Sequence, residues 1–239
     1  RENAATVAVR GHDTEEHLAK YPADVGYSVS SRLITTTDFR SFEVHRLTGG
    51  PTRAKGMALF PRRVGGEVLA LGRGDGETIS VSRSSDGLDW AQEEPVYAPE
   101  ALWEVVQSGN CGPPIETTEG WLVITHGVGP MRVYSIGAIL LDRDDPTQVR
   151  AVLPGPPVVP HGADRTGYVP NVVSSCGAIV PHETPSLPPG VVADRIRVAA
   201  VPVAAPFRAF PSPPSGPAAP PHAPMAPWRW CCRCCACAA

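Results

Sequence analysis

The feature that most constrains this chain is how its apolar residues are parcelled. Between residues 27 and 180 they come in short runs: Met57-Ala58-Leu59-Phe60, Val68-Leu69-Ala70-Leu71, Thr78-Ile79-Ser80-Val81, Trp121-Leu122-Val123-Ile124 and Ala138-Ile139-Leu140-Leu141. Gly, Pro, Asp and Ser separate them. Runs this short, rich in Val, Ile and Leu and bounded by turn residues, have the length of β-strands, and no long stretch with a 3.6-residue period competes with them. Many short strands at close spacing specify an all-β fold: a sandwich, a barrel or a propeller.

An internal repeat chooses among these. Leu33-Ile34-Thr35-Thr36-Thr37-Asp38 is followed by the aromatics Phe39 and Phe42, and Ile79 through Asp86 is followed by Trp90. Asp38 and Asp86 are 48 residues apart, and a third unit, Tyr134 through Leu141 with Asp142, Asp144 and Asp145-Pro146, follows 56 residues after Asp86. A period of about 50 residues fits a four-stranded propeller blade. The Asp at the strand end is expected to cap a tight turn by accepting backbone N–H bonds, and the aromatic to pack between blades.

Three zones follow. Residues 1–26 are polar, without sustained strand-like alternation. Residues 27–200 carry the strand pattern. Residues 201–239 hold ten Pro and five Cys; Pro fixes φ and removes backbone donors, so such a segment cannot build central strands and is expected to be a disordered tail. Cys231-Cys232-Arg233-Cys234-Cys235-Ala236-Cys237 imitates a thiolate cluster, but nothing around it would hold the thiols in place for a metal. Out-of-frame translation of a GC-rich gene would leave a tail of this kind. The Asp142, Asp144, Asp145 group resembles a calcium loop in charge alone, so no metal is expected.

Charge excludes one class of function. With 21 Lys+Arg against 24 Asp+Glu the formal net charge is −3, and the basic excess that nucleic-acid binding requires is missing. No run reaches the roughly 18 apolar residues of a spanning helix. No signal core is visible at the start, and the seven Cys do not form a disulfide framework, so the expected compartment is cytoplasmic.

Several rarer blocks occur in order. They are Lys55-Gly56-Met57-Ala58-Leu59-Phe60-Pro61; Leu71-Gly72-Arg73-Gly74-Asp75-Gly76; Trp103-Glu104; and Gly109-Asn110-Cys111-Gly112-Pro113-Pro114-Ile115-Glu116-Thr117. Gly120-Trp121-Leu122, Thr125-His126-Gly127-Val128, Leu141-Asp142 and Gly167-Tyr168-Val169-Pro170-Asn171-Val172-Val173 with Cys176-Gly177 complete the series. Over about residues 27–180 this series resembles glycoside hydrolase family 130, the β-mannoside phosphorylases and related mannosidases.

The resemblance implies a five-bladed β-propeller with its sugar site at the central axis. The chain then reads as an incomplete propeller of about three to three and a half blades. It implies an oligosaccharide substrate, no cofactor beyond inorganic phosphate as a co-substrate, and leaves a homo-oligomer open.

Residue by residue, His126 matches the family's His in Tyr-His-Gly and Arg73 the Arg ending an earlier strand, both on the phosphate side. Asn110, Asp75, Tyr168 and Asn171 lie in matched blocks and are further substrate-binding candidates. Trp90, Trp103 and Trp121 are expected to pack between blades.

Departures from the family pattern bear on the chemistry. Gln107 and Glu116 stand where phosphorylases carry Lys or Arg, and Lys. Losing two positive charges weakens a phosphate site, and an anionic Glu116 inside the funnel would also repel phosphate, which tilts the expected reaction from efficient phosphorolysis toward inverting hydrolysis or an uncharacterised branch, with Glu116 a candidate base. The family's catalytic Asp, in an Asp-Pro-Arg-like motif, has no copy in residues 1–26. Pro189 through Asp194 resembles the family's terminal Tyr-Gly-x-Ala-Asp, making Asp194 the other carboxylate candidate. A weak or inactive fragment, a non-catalytic glycan-binding propeller and a degraded gene product are the competing expectations.

Overall fold

The computed structural model describes residues 3–11, 28–166 and 169–178, and short strand segments between 186 and 200. Its strands, in chain order, are β1 (Asn3–Gly11), β2 (Ser28–Thr36), β3 (Glu43–Arg46), β4 (Thr48–Gly49), β5 (Ala58–Leu59), β6 (Val68–Gly72), β7 (Ile79–Ser84), β8 (Asp89–Trp90), β9 (Glu94–Tyr97), β10 (Gln107–Asn110), β11 (Ile115–Thr117), β12 (Gly120–Val128), β13 (Tyr134–Leu141), β14 (Val149–Val152) and β15 (Val173–Ser175). Only short 3-10 turns interrupt them, and among the described residues there is no α-helix.

These strands form successive antiparallel sheets in chain order: β1-β2-β3, then β5-β6-β7-β9, then β10-β12-β13-β14 with β11 also on β12. β15 opens a further small sheet. Among the described residues the sheets do not close on themselves.

The sheets are stacked face to face, which is why the apolar runs are continuous. On β12, Trp121 and Val123 point to one side. They meet Leu69, Leu71, Ile79, Val81, Phe60 and Tyr97 of the preceding sheet. Leu122 and Ile124 point to the other side, toward Ile136, Ala138, Leu153 and Val173. Side chains alternate along a strand, and burial of both faces removes the polar half of the alternation. Ala70 and Trp90 face back toward Leu47 and Met57, with Leu33 and Leu59 packed alongside. Each fully buried Leu, Ile or Val contributes about 1.5–3 kcal/mol of transfer free energy.

The repeat is visible atom for atom. The Asp38 carboxylate accepts the amides of Arg40 and Ser41, both at 2.8 Å. Asp86 accepts those of Leu88 at 2.8 Å and Asp89 at 3.0 Å. Asp142 accepts those of Asp144 at 2.9 Å and Asp145 at 3.1 Å. In the first two copies a hydroxyl two residues earlier closes the corner: Thr36 Oγ1 donates to the Ser41 carbonyl at 2.7 Å and Ser84 Oγ to the Asp89 carbonyl at 2.6 Å. Leu140 takes this place in the third. Backbone amides hold all three carboxyls below their usual range.

Two expectations are corrected. Residues 3–11 form a nine-residue strand, paired with β2 from Asn3↔Thr36 to Gly11↔Ser28. Its side chains through Ala8 are mostly exposed, with Val7 at 39%, so no buried face imposed a pattern that could be read. The aromatics of the first repeat do not pack between sheets either: Phe39 is 68% and Phe42 55% exposed, against 4% for Trp90. Trp121, by contrast, is fully buried between two sheets, edge-to-face on Phe60 at 5.0 Å. Tyr168, Asp194 and the segment 201–239 lie outside the described residues.

Candidate functional site

Arg73 leaves the end of β6 into the tight turn that leads to β7. Asp75 shapes this turn, accepting the amides of Glu77 and Thr78 at 2.8 Å each. Burial pushes the Asp75 carboxyl up, but those amides outweigh it and leave it below its usual range. A Cβ on Gly74 would lie 1.8 Å from a Glu93 carboxylate oxygen, so a side chain there would have to displace that carboxylate.

His126 stands near the end of β12, in register with Gly109 of β10 and Ile136 of β13. The two side chains, 53 residues apart in sequence, meet where Arg73 Nη1 lies 3.0 Å from His126 Nε2. Arginine carries no acceptor, so the guanidinium donates and Nε2 accepts. The other ring nitrogen, Nδ1, lies 3.8 Å from Cys111 Sγ. Tyr134 runs nearly parallel to the imidazole, 6.2 Å between centroids and 13° between planes.

The electrostatics of the pair are one-sided. Burial first, and then the Arg73 charge, push the His126 pKa down to about 4, so the ring is neutral at pH 7. Burial also lowers the pKa of Arg73, but a guanidinium stays charged in a protein. Among the described residues no carboxylate lies within ion-pair distance of Arg73. Burial pushes the Cys111 thiol up to about 12, so it stays protonated. Among the described residues Arg73 is a half-buried cation that feels the Asp75 charge without forming an ion pair with it, and a guanidinium so placed can engage the oxygens of an anion bidentately.

Glu116 is placed elsewhere. It pairs with Trp121 at the other end of β12, five residues or about 16 Å along the strand from His126 at 3.3 Å per residue. Its carboxylate takes the Arg62 side chain through Nη2 at 2.6 Å and Nε at 3.0 Å, with Arg143 at 3.3 Å. These guanidiniums, Arg62 foremost, hold its pKa below the usual range. The expected repulsion of phosphate inside a shared funnel therefore has no geometric basis.

The remaining candidates are distributed. Asn110 is 7% exposed; its Nδ2 donates to the Gly112 carbonyl at 3.2 Å and its Oδ1 is buried without a partner. Asn171 sits in a left-handed turn at φ 60°, and its carbonyl accepts the Tyr134 amide at 2.9 Å. Its side-chain oxygen takes Arg165 Nε at 3.2 Å. Gln107 opens β10 opposite Val128.

Three residues do more than the sequence reading assigned them. Cys111 is, as read from the sequence, a small buried apolar residue at 3% exposure, and its sulfur also lies 3.8 Å from His126 Nδ1. Gly109 reads as part of a motif, yet a Cβ there would fall 2.6 Å from Arg73 Nη1 and 2.6 Å from His126 Cε1. Glu104, 1% exposed, accepts the Tyr97 hydroxyl at 2.5 Å, while its second oxygen has no partner. Next to it the Trp103 ring covers the bare backbones of Gly127 and Gly137. Trp103 also lines a concavity of about 400 Å³ with Leu102, Pro130, Val133 and Ser135. Only the local signal Trp-Glu ahead of a Gly-rich strand pointed there.

Successive small antiparallel sheets stacked face to face make this an all-β protein whose architecture is consistent with a β-propeller-like fold. Within that class comparison is specific. The model of glycoside hydrolase family 130, described as beta-1,4-mannooligosaccharide phosphorylase, matches residues 19–204. The chain belongs to this family.

A 1,2-beta-oligomannan phosphorylase of Thermoanaerobacter is 38% identical over 132 residues, 54% of this chain and 44% of that protein. A beta-1,4-mannooligosaccharide phosphorylase of Ruminococcus albus is 31% identical, over 66% of this chain and 50% of that protein. The beta-1,2-mannobiose phosphorylase of Listeria innocua, solved with beta-1,2-mannobiose, superposes with a TM-score of 0.70 at 24% identity, covering 86% of this chain and 57% of that one. The chain thus spans about half the length of the curated relatives it matches. Among the described residues no helix is long and apolar enough to cross a membrane.

Proposed function

We propose that this chain carries the phosphate side of a β-mannoside phosphorylase site, with Arg73 as its anion-binding residue. The observation that supports it most directly is the half-buried Arg73 guanidinium, with no carboxylate in ion-pair distance among the described residues, held against a neutral His126. A buried cation left unpaired is costly, and an anionic ligand offsets that cost. The placement of Glu116 on Arg62 removes the repulsion expected of its carboxylate, Gln107 still stands where phosphorylases carry a cation, and the relatives above, themselves named phosphorylases, favour phosphorolysis.

In an inverting phosphorolysis, a phosphate oxygen forms a bond to the anomeric carbon from the face opposite the glycosidic oxygen. The C–O bond to the leaving sugar breaks, and an acid protonates that oxygen, giving α-mannose 1-phosphate from a β-mannoside. Arg73 supplies N–H donors that hold the phosphate in line and spread its charge. The proton donor is not assigned to a described residue.

The test incubates the chain with β-1,2- and β-1,4-mannooligosaccharides, with and without inorganic phosphate. Mannose 1-phosphate formed only with phosphate is the expected outcome. Free mannose without phosphate would establish hydrolysis instead. Oligosaccharide binding without turnover in either condition would establish a glycan-binding protein.

A further inference from the structure

Arg73 stands between two glycines that its backbone does not demand. Neither Gly72 nor Gly74 is in the left-handed region, so conformation alone does not call for glycine there. What excludes a side chain is chiefly one carboxylate. A Cβ on Gly72 would stand 2.2 Å from Glu93 Oε1, and a Cβ on Gly74 1.8 Å from Glu93 Oε2. At Gly72 the Pro51 side chain narrows the space further, with Cβ at 2.8 Å. Both glycines thus open toward the same group, and the Glu93 carboxylate lies against the backbone on either side of Arg73.

Glu93 is half-buried and is itself held in place. Ser80, opposite Gly72 in the β6–β7 register, donates its hydroxyl to Glu93 Oε1 at 2.7 Å. Two residues before Glu93, the Ala91 amide donates to the Arg83 carbonyl at 2.9 Å and the Ala91 carbonyl accepts Ser82 Oγ at 2.7 Å. These bonds fix the chain that carries Glu93 onto β7. Among the described residues no cation lies within ion-pair distance of Glu93, so no ion pair accounts for its place. It meets Ser80, Gly72 and Gly74, the frame of the turn that carries Arg73. Asp75 holds the same turn from its far side through the Glu77 and Thr78 amides.

We propose that Glu93 is a positioning residue for Arg73: its carboxylate seats the Gly72–Arg73–Gly74 backbone and so fixes where the guanidinium meets a bound phosphate. The two glycines are bare to admit it. Glu93 acts by shape, because only a side chain of its length spans both glycines while taking the Ser80 hydroxyl. A misplacement of about 1 Å at such a site costs up to about 10²-fold. This rests on the phosphate site proposed above and adds to it the support that keeps its cation in place.

The test is calorimetric titration of the full chain with inorganic phosphate. Glu93→Ala is expected to lower affinity about tenfold or more. Glu93→Gln, which keeps the length and an acceptor for Ser80, is expected to stay near wild type. Glu93→Asp keeps the charge but falls short of the two glycines, and is expected to behave like Glu93→Ala. Gly74→Ala must push the carboxylate aside, so its loss is expected to match that of Glu93→Ala, and the double variant to lose no more than either alone. Unchanged affinity in Glu93→Ala overturns the inference. Asp tolerated and Gln not would make Glu93 act by charge and overturns it too, as do additive losses in the double variant. The Glu93 arms stand if Gly74→Ala fails to fold. A second readout needs no phosphate. The ring-nitrogen resonances of His126, whose Nε2 lies 3.0 Å from Arg73 Nη1, are expected to shift in Glu93→Ala and to stay in Glu93→Gln; resonances unmoved in Glu93→Ala overturn the inference. If the wild type binds no phosphate while these resonances move as expected, the phosphate site falls and the seating of Arg73 by Glu93 stands.

Discussion

Acidifying the protein should cost it stability through His126, and the size of the loss follows from the site. The ring is largely buried beside the Arg73 cation, with Tyr134 and Cys111 as its other neighbours, and desolvation first and then the Arg73 charge depress its pKa from 6.5 to about 4. In the unfolded chain the same ring takes up a proton at ordinary pKa. Between these two values the unfolded state binds more protons than the folded one, so stability must fall as pH falls. The contribution is intact above 6.5 and is lost progressively as pH drops toward about 4. At about 1.4 kcal/mol per pH unit the loss is about 2 kcal/mol around pH 5 and approaches 3 kcal/mol near pH 4.

The check is a pair of urea-unfolding series, wild type and His126→Gln, at matched pH values from about 7.5 to 4.5. Carboxylates such as Asp38, Asp86 and Asp142 titrate in both proteins, so their effect cancels in the difference. The wild-type advantage is expected to shrink by about 2 kcal/mol between pH 7 and pH 5. A difference that stays constant across that interval would refute the buried, neutral state assigned to His126.

Three further outcomes are expected. Trp121→Ala removes the fully buried indole that joins two sheets, and should cost about 3–5 kcal/mol in urea unfolding; a loss below about 1 kcal/mol would contradict the inter-sheet core. Tyr97→Phe deletes the hydroxyl held by buried Glu104 and should destabilise by about 1–3 kcal/mol, read from the same midpoints. Glu116→Gln should leave turnover of mannooligosaccharides by the chain unchanged, because the carboxylate is engaged by Arg62 far from His126. A loss in kcat of roughly 10²–10⁴-fold would restore Glu116 as a general base.

Much of the fold was legible because burial leaves a pattern. Leu69-Ala70-Leu71 and Trp121 through Ile124 lie in strands buried on both faces, and uninterrupted apolar runs of that length report such strands. The Asp38 and Asp86 corners were legible because a turn of this kind depends on residues two to five positions apart. β1 was missed for the converse reason: an exposed outer strand is under no demand to alternate.

The candidate site was legible only in part. Arg73 and His126 stood out through the family resemblance, but their contact crosses 53 residues, and no local spacing encodes it. The same holds for Arg62 on Glu116, 54 residues apart, whose absence from the sequence reading let a surface ion pair pass for a funnel carboxylate. Gly109 was hidden because what matters about it is an unfilled volume beside Arg73 and His126, which a residue type does not announce.

The duplicated corners at Thr36–Ser41 and Ser84–Asp89 have a kinetic corollary. Each is completed by bonds spanning at most five residues, so each hairpin can close on the microsecond scale without waiting for distant chain. The cluster that joins Phe60 and Leu69 to Ile139 and Leu141 must instead close a loop of some seventy residues or more, which is slow by comparison. Folding should therefore begin as several independent hairpins, with docking of one sheet on the next as the late step. Substitutions at Asp38 or Asp86 should then slow the refolding rate, whereas truncation of Trp121 should chiefly speed unfolding.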